Sequence, residues 1–195
     1  IALQSIKLVF EWLEKSVKTA DPEAREKMHN ASTMAGMAFA NAFLGMSHSM
    51  AHKIGAVHHT VHGRTNAILL PYVIRYNGTR PSKTTTWPKY NYWKADEKFQ
   101  DIAKMLGLPH STPEEAVEAY AKAVYDLGVA VGIKMNFKDQ GIDEKAWKDS
   151  LHEIALLAYE DQCSPANPRL PMVADMEEIM ADAYYGYAER PGRRK

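Results

Sequence analysis

A long stretch without a charged side chain, residues 30–52, constrains the fold of this chain more than any other feature. As a helix it is long enough to cross a bilayer. However, asparagine, serine, threonine and histidine side chains are spread along it, and these are too many polar groups for lipid. Alanine, glycine and methionine make up much of the rest, and small residues allow neighbouring helices to pack closely. We therefore predict that this segment is the buried centre of a helical bundle.

Helical periodicity dominates the remaining sequence, because apolar residues recur at intervals of three and four. Three helix starts carry recognisable caps: Asp21 before a proline, Thr112 with Glu115 three residues on, and Asp143. No segment gives a convincing run of alternating strand residues, and residues 84–93 come nearest. The fold class predicted is all-α, a helical bundle. The predicted helices cover about residues 6–17, 22–44, 46–57, 63–77, 96–106, 113–131, 144–157 and 174–187.

A proline and several aromatic residues mark the less regular parts. Pro71 lies within a predicted helix and should kink it. A loop follows from residue 78 to about residue 94. Its aromatic side chains either anchor the loop onto the helical body, which we favour, or form a subunit contact. They are Trp87, Tyr90, Tyr92 and Trp93.

Composition excludes several classes of protein. The 195 residues fit one domain, 1–195, and are enough to bury a core. Lysine plus arginine, at 24, equals aspartate plus glutamate, so nothing points to nucleic acid or an acidic membrane. The basic end, residues 190–195, is interpreted as a frayed tail. The single cysteine, Cys163, excludes an internal disulfide and favours a cytoplasmic protein, and we interpret it as a small buried residue rather than a nucleophile. Residues 1–7 do not have the layout of a signal peptide.

Three histidines form the strongest chemical signal: His48, His52 and His62. The first two are four residues apart, so on a helix they share a face, and a loop before Gly63 can bring His62 back to them. Imidazole is the commonest nitrogen ligand for transition metals. The alternative is that they are core histidines with satisfied hydrogen bonds. The zinc-peptidase pattern is not met, because Ser49 stands where the catalytic glutamate belongs.

The wider segment resembles a known family. Residues 35–56 and 62–71 are similar to the histidine-rich signature of the iron-dependent alcohol dehydrogenases. Residues 161–169 (DQCSPANPR) and the insert around residues 87–90 (WPKY) resemble the C-terminal alcohol dehydrogenase half of bifunctional aldehyde–alcohol dehydrogenases. The resemblance runs through nearly all of the chain.

The resemblance implies a set of site residues. His48 and His62 match two iron ligands, and His52 matches a histidine beside the metal that helps with proton transfer. Val61 stands where the family usually has proline. The other two ligands, an aspartate and a histidine on one helix, and the nucleotide-binding half with its glycine-rich loop would lie upstream of residue 1. We therefore expect these residues to be the C-terminal part of a larger catalytic unit.

The resemblance also implies the chemistry: reversible reduction of an acetaldehyde-like aldehyde to a primary alcohol, with NADH and Fe(2+), or zinc in its place. Asn66 is interpreted as fastening a helix start rather than binding substrate. The expected partners are the small alcohol or aldehyde, the upstream nucleotide-binding domain and further copies of the chain in a homo-oligomer. The alternative function is a catalytically inert helical binding or assembly module. A different histidine-metal hydrolase lacks a general base at helical spacing from His48 or His52.

Overall fold

A computed structural model describes residues 1–81 and 93–186 of the chain, and within these ranges all regular structure is helical. The all-α prediction is therefore confirmed. The elements in chain order are α1 (Ala2–Thr19), α2 (Pro22–Ala42), α3 (Met46–His58), α4 (His62–Gly78), α5 (Ala95–Met105), α6 (Pro113–Ala130), α7 (Glu144–Tyr159), a 3-10 turn (Ser164–Ala166) and α8 (Val173–Tyr185).

The three predicted caps are present in the structure. The side chain of Asp21 accepts a hydrogen bond from the backbone N–H of Ala24 at 2.9 Å, and Asp143 accepts from Ala146 at the same distance. Thr112 accepts from the N–H of Glu115 at 3.2 Å. Each bond satisfies an N–H that has no partner within its own helix. Because a cap involves neighbours in sequence, the local pattern was sufficient to predict it.

The prediction that residues 30–52 form a buried centre is correct for the second half only. Helix α2 packs on α1, where the Ser5 hydroxyl donates to the carbonyl of Ala31 at 2.7 Å. Its only fully buried residues are Ala24 and Ala31. Along the rest of α2 the charge-free face is uncovered, and the exposed fractions of Met37 and Phe39 are 55% and 48%. The prediction fails there because α2 meets a neighbour along one face alone.

The core lies around α3 instead. Met46, Met50 and Ile54 on α3 are completely buried in a core cluster that also includes residues of α4, α7 and α8. Trp147 of α7 stacks with Phe137 and with Tyr184, with ring centres 4.9 and 5.2 Å away. One face of α3 is thus fixed in the core, and the histidines occupy the other side of the same helix.

Helix α4 runs without interruption from His62 to Gly78 and includes the buried Pro71. Within the ranges that the structure describes, none of the helices combines the length and the apolar character needed to cross a membrane. The predictions for Trp87, Tyr90, Tyr92 and residues 190–195 concern positions outside those ranges.

Candidate metal centre

The three histidines predicted to converge do so. Helix α3 ends at its C-cap, His59, whose backbone is left-handed at φ 54°. Only residues 59–61 separate α3 from α4. His48 and His52 lie one turn apart on α3, and His62 is the first residue of α4. The ring centres of His48 and His62 are 5.3 Å apart, as are those of His52 and His62, and the His48–His52 distance is 6.1 Å.

These distances fit a shared ion. A nitrogen that binds a metal at about 2.1 Å puts its ring centre about 3.2 Å from the ion, so two rings at tetrahedral angles lie about 5 Å apart. The His48–His62 pair satisfies this condition at 5.3 Å. Imidazole nitrogens suit iron, zinc and other first-row metals. The residues present therefore fit two positions of a transition-metal site.

The surroundings favour the neutral, metal-binding form of His48. Burial lowers the pKa of this imidazole, and the neighbouring rings of His62 and His52 lower it further. Each of these effects penalises the charged ring. Near neutral pH, His48 therefore offers a free nitrogen lone pair.

His62 is held in place by Asn66, one turn later on α4. The side-chain amide of Asn66 lies 3.2 Å from Nε2 of His62 and 3.3 Å from its backbone carbonyl. Its oxygen accepts a hydrogen bond from the Ser47 hydroxyl at 2.9 Å, which joins α4 to α3. Asn66 therefore fastens the start of α4, as interpreted from the sequence, and it also orients the ring.

Asp161 contributes a contact that the sequence reasoning missed. Its Oδ2 lies 3.4 Å from Nδ1 of His52 and 3.0 Å from Nζ of Lys53, and its Oδ1 accepts the backbone N–H of Cys163 at 3.0 Å. Burial acts to raise the pKa of this carboxyl, but the hydrogen bonds from Cys163, Lys53 and His52 outweigh it and bring the pKa to about 2. The sequence pointed to residues 161–169 only through their resemblance to a motif.

The rest of that motif is structural. Cys163 is 1% exposed, and burial raises the pKa of its thiol, which agrees with the interpretation as a small buried residue. Asn167 is equally buried, and its side-chain oxygen accepts the backbone N–H of Met46 at 3.3 Å, at the start of α3. The motif thus anchors the helix that carries His48 and His52.

A second group of potential ligand atoms adjoins the histidines. One atom each of His52, Asp161 and Cys163 lie within 4.8 Å of one another. However, the ammonium group of Lys53 already contacts the carboxylate, and a second cation there would be repelled. Another nearby histidine, His58, bonds to the Ser150 hydroxyl at 3.0 Å and stacks on Trp147, so its contacts are structural.

Comparison with known proteins identifies the family. The sequence profile described as the Fe-containing alcohol dehydrogenase family, C-terminal, matches residues 1–184. The chain belongs to the iron-containing alcohol dehydrogenase family. Within that family, the aldehyde-alcohol dehydrogenase of Streptococcus pneumoniae is 79% identical over 195 residues, which are 100% of this chain and 22% of that protein.

More distant members share the same region. The bifunctional aldehyde-alcohol dehydrogenase of Escherichia coli is 39% identical over 190 residues, 95% of this chain and 21% of that protein. The solved structure of the alcohol dehydrogenase from Oenococcus oeni matches with a TM-score of 0.79 at 32% identity, over 93% of this chain and 44% of that one. The chain therefore spans about a fifth of the length of these two curated relatives.

Proposed function

We propose that this chain supplies the helical, metal-binding C-terminal part of an iron-dependent alcohol dehydrogenase. The reaction is the reversible reduction of an acetaldehyde-like aldehyde to a primary alcohol with NADH. The single observation that carries the proposal is the convergence of three histidine rings within 6.1 Å of one another. Membership of the iron-containing alcohol dehydrogenase family supports the class of reaction.

His48 and His62 would hold the metal, with an aspartate and a histidine from the upstream part of the same polypeptide as the further ligands. When bound, iron(II) would act as a Lewis acid on the substrate oxygen, and the nicotinamide would carry the hydride. Zinc binds the same donor types at least as strongly, so the metal supply of the cell would decide between them.

His52 would move the proton. Its ring lies beside both proposed ligands, and its side chain is 36% exposed, so one end of the ring reaches the site while solvent remains accessible. A positioned imidazole is suited to accept the alcohol proton and release it to water.

The proposed partners are the upstream nucleotide-binding domain and further copies of the chain, in the cytoplasm. The exposed apolar side chains of α2 support a contact there, because Met37, Phe39 and Phe43 are each about half exposed. We propose that the helix with the two remaining ligands packs on this face. Produced without it, residues 1–195 should neither oxidise alcohols nor bind iron(II) or zinc tightly, since only part of the ligand set is present.

The second candidate is a helical binding or assembly module without activity. It is favoured by the small number of ligands within the chain, His48 and His62 among an expected four. Calorimetric titration of the isolated chain with zinc, and an alcohol-dependent NADH assay at saturating iron, test the result that both candidates predict, a chain that is inactive by itself. Tight one-to-one metal binding or turnover by the isolated chain would show that the site is self-contained and that the upstream ligands are not needed.

Substitutions in an enzyme that carries the upstream part as well test the assigned roles. His48→Ala and His62→Ala should lose the metal, whereas His52→Ala should keep it and lose turnover by ~10²-fold or more. His29→Ala is the matched control, because it removes an exposed imidazole from α2. Full activity of His52→Ala would remove this residue from the mechanism, and metal retention in both other variants would reject the site.

A further inference from the structure

We propose that Asp161 is the positioning residue for His52, fixing its neutral ring with the proton on Nδ1 and the lone pair on Nε2. The inference rests on the proposed role of His52 in proton transfer and adds the group that orients it. The contact is between Nδ1 and Oδ2 at 3.4 Å and joins residues 109 positions apart in the chain.

The carboxylate is itself fixed from two sides. The backbone N–H of Cys163 donates to Oδ1 at 3.0 Å, and the Lys53 ammonium contacts Oδ2 at 3.0 Å. The side chain of Asp161 is only 8% exposed. A buried acceptor with both oxygens engaged has little freedom to turn away, so it presents a constant negative charge to the ring of His52.

The tautomer follows from the chemistry of an ionised carboxylate, which only accepts hydrogen bonds. A neutral imidazole can satisfy it only by carrying its proton on Nδ1, and Nε2 is then the acceptor. A proton arriving on Nε2 produces an imidazolium that the adjacent carboxylate stabilises. At 3.4 Å the contact is long, as hydrogen bonds to catalytic groups often are before the substrate is bound.

Replacing Lys53 distinguishes positioning of the His52 ring by Asp161 from simple balancing of the Asp161 charge. Lys53 shares Oδ2 with His52, so its removal takes the ammonium charge away from this oxygen and leaves the contact with the ring in place. If Asp161 positions the ring, removing Lys53 should preserve the tautomer of His52, whereas removing the carboxylate should not.

The test is a long-range proton–nitrogen NMR correlation on the full 195-residue chain with ¹⁵N-labelled histidine, recorded at a pH where imidazoles are neutral. The His52 signals are assigned as those absent from His52→Gln. We expect the Nδ1-protonated pattern in the wild-type chain and in Lys53→Met. In Asp161→Asn the pattern should shift toward the Nε2-protonated form that free imidazole side chains prefer.

The matched control is Asp149→Asn, which removes an exposed carboxylate from α7 and should leave the His52 signals unchanged. An Nε2-protonated His52 in the wild-type chain, or an unchanged pattern in Asp161→Asn, would overturn the inference. Because these signals need neither metal nor substrate, they separate this inference from the proposed function. If His52→Ala keeps full turnover while the tautomer depends on Asp161, the pairing stands and the proton-transfer role fails.

A kinetic readout completes the test in an enzyme with the upstream part present. Asp161→Asn should lower kcat and kcat/KM together by about 10–100-fold, with little change in the KM for the alcohol. A purely structural role would instead change metal content or KM. Loss of bound metal together with kcat would therefore count against positioning.

Discussion

The side-chain amides of Asn77 and Asn167 face each other across 90 residues of sequence. Asn167 donates to Oδ1 of Asn77 at 2.7 Å and to the carbonyl of Arg169 at 2.6 Å. Both asparagines are buried, and Asn167 also accepts the N–H of Met46 at the start of α3. One side chain thus ties together the end of α4, the beginning of α3 and the loop between α7 and α8.

Replacing Asn167 by aspartate should destabilise the fold. The new carboxylate would face two acceptors, the carbonyl of Arg169 and Oδ1 of Asn77, with no proton to donate. We expect a loss of about 2–4 kcal/mol in the free energy of unfolding, or roughly 5–15 °C in Tm. Urea unfolding measures the loss in free energy. Asn30→Asp, with the same chemical change at an exposed position of α2, should lie close to wild type.

Replacing Gly45 by alanine should disturb the same anchor. A Cβ at this position would lie 2.7 Å from Oδ1 of Asn167, and Cβ atoms in proteins essentially never lie so close to another heavy atom. Asn167 must then move, and we expect a loss of about 1–3 kcal/mol. Gly63→Ala is the matched control, because no atom lies within 4 Å of its added Cβ. There, the higher helix propensity of alanine should make the change neutral or stabilising by up to about 1 kcal/mol. Equal unfolding free energies for the two variants would contradict the steric argument.

Phe43 has a backbone conformation that favours glycine, at φ 64° and ψ −179°. Such strain costs about 1–3 kcal/mol in residues other than glycine, and Phe43 is 51% exposed. Phe43→Gly should therefore be more stable than Phe39→Gly by about 1–3 kcal/mol. Phe39 is a suitable comparison, because it is similarly exposed but its backbone lies inside α2. Equal losses in thermal unfolding of the two variants would show that the turn at residue 43 is relaxed.

Asp161 should make the fold sensitive to acid. The folded-state pKa of about 2 lies below the ordinary value of about 3.9 for an aspartate in the unfolded chain. At a pH above the unfolded-state pKa, the ionised carboxylate therefore stabilises the fold by on the order of 2 kcal/mol. This contribution is lost as the pH falls toward the folded-state pKa. Urea unfolding at pH 7, 5 and 3 should give a stability difference between wild type and Asp161→Asn that shrinks at the acidic end. A difference that stays constant with pH would show that the pKa is not depressed.

The sequence predicted what depends on near neighbours. The caps at Asp21, Thr112 and Asp143 need partners three residues away, and the pairing of His48 with His52 needs only one helical turn. It did not predict the partner of His52, because Asp161 reaches it through the tertiary fold.

Nor could sequence alone predict which half of residues 30–52 is buried. A charge-free helical face is equally compatible with a place in the core and with a surface that another element covers. The same charge-free stretch contains exposed residues, Met37 and Phe39, and buried ones, Met46 and Met50. Only the packing of α2 on α1 and of α3 in the core distinguishes them.

The short connection between α3 and α4 has a consequence for the order of folding. The three rings span 14 residues, whereas the contacts of Asp161 with His52 and of Asn167 with Met46 span 109 and 121 residues. Closing the longer loops costs about 2 kcal/mol more in chain entropy, and such contacts form late. We therefore expect the helical hairpin to gather the imidazoles early and the carboxylate and amide to arrive afterwards. The imidazole nitrogens that would bind a metal ion are therefore brought together by a short loop. The groups that fix their positions come from distant parts of the sequence.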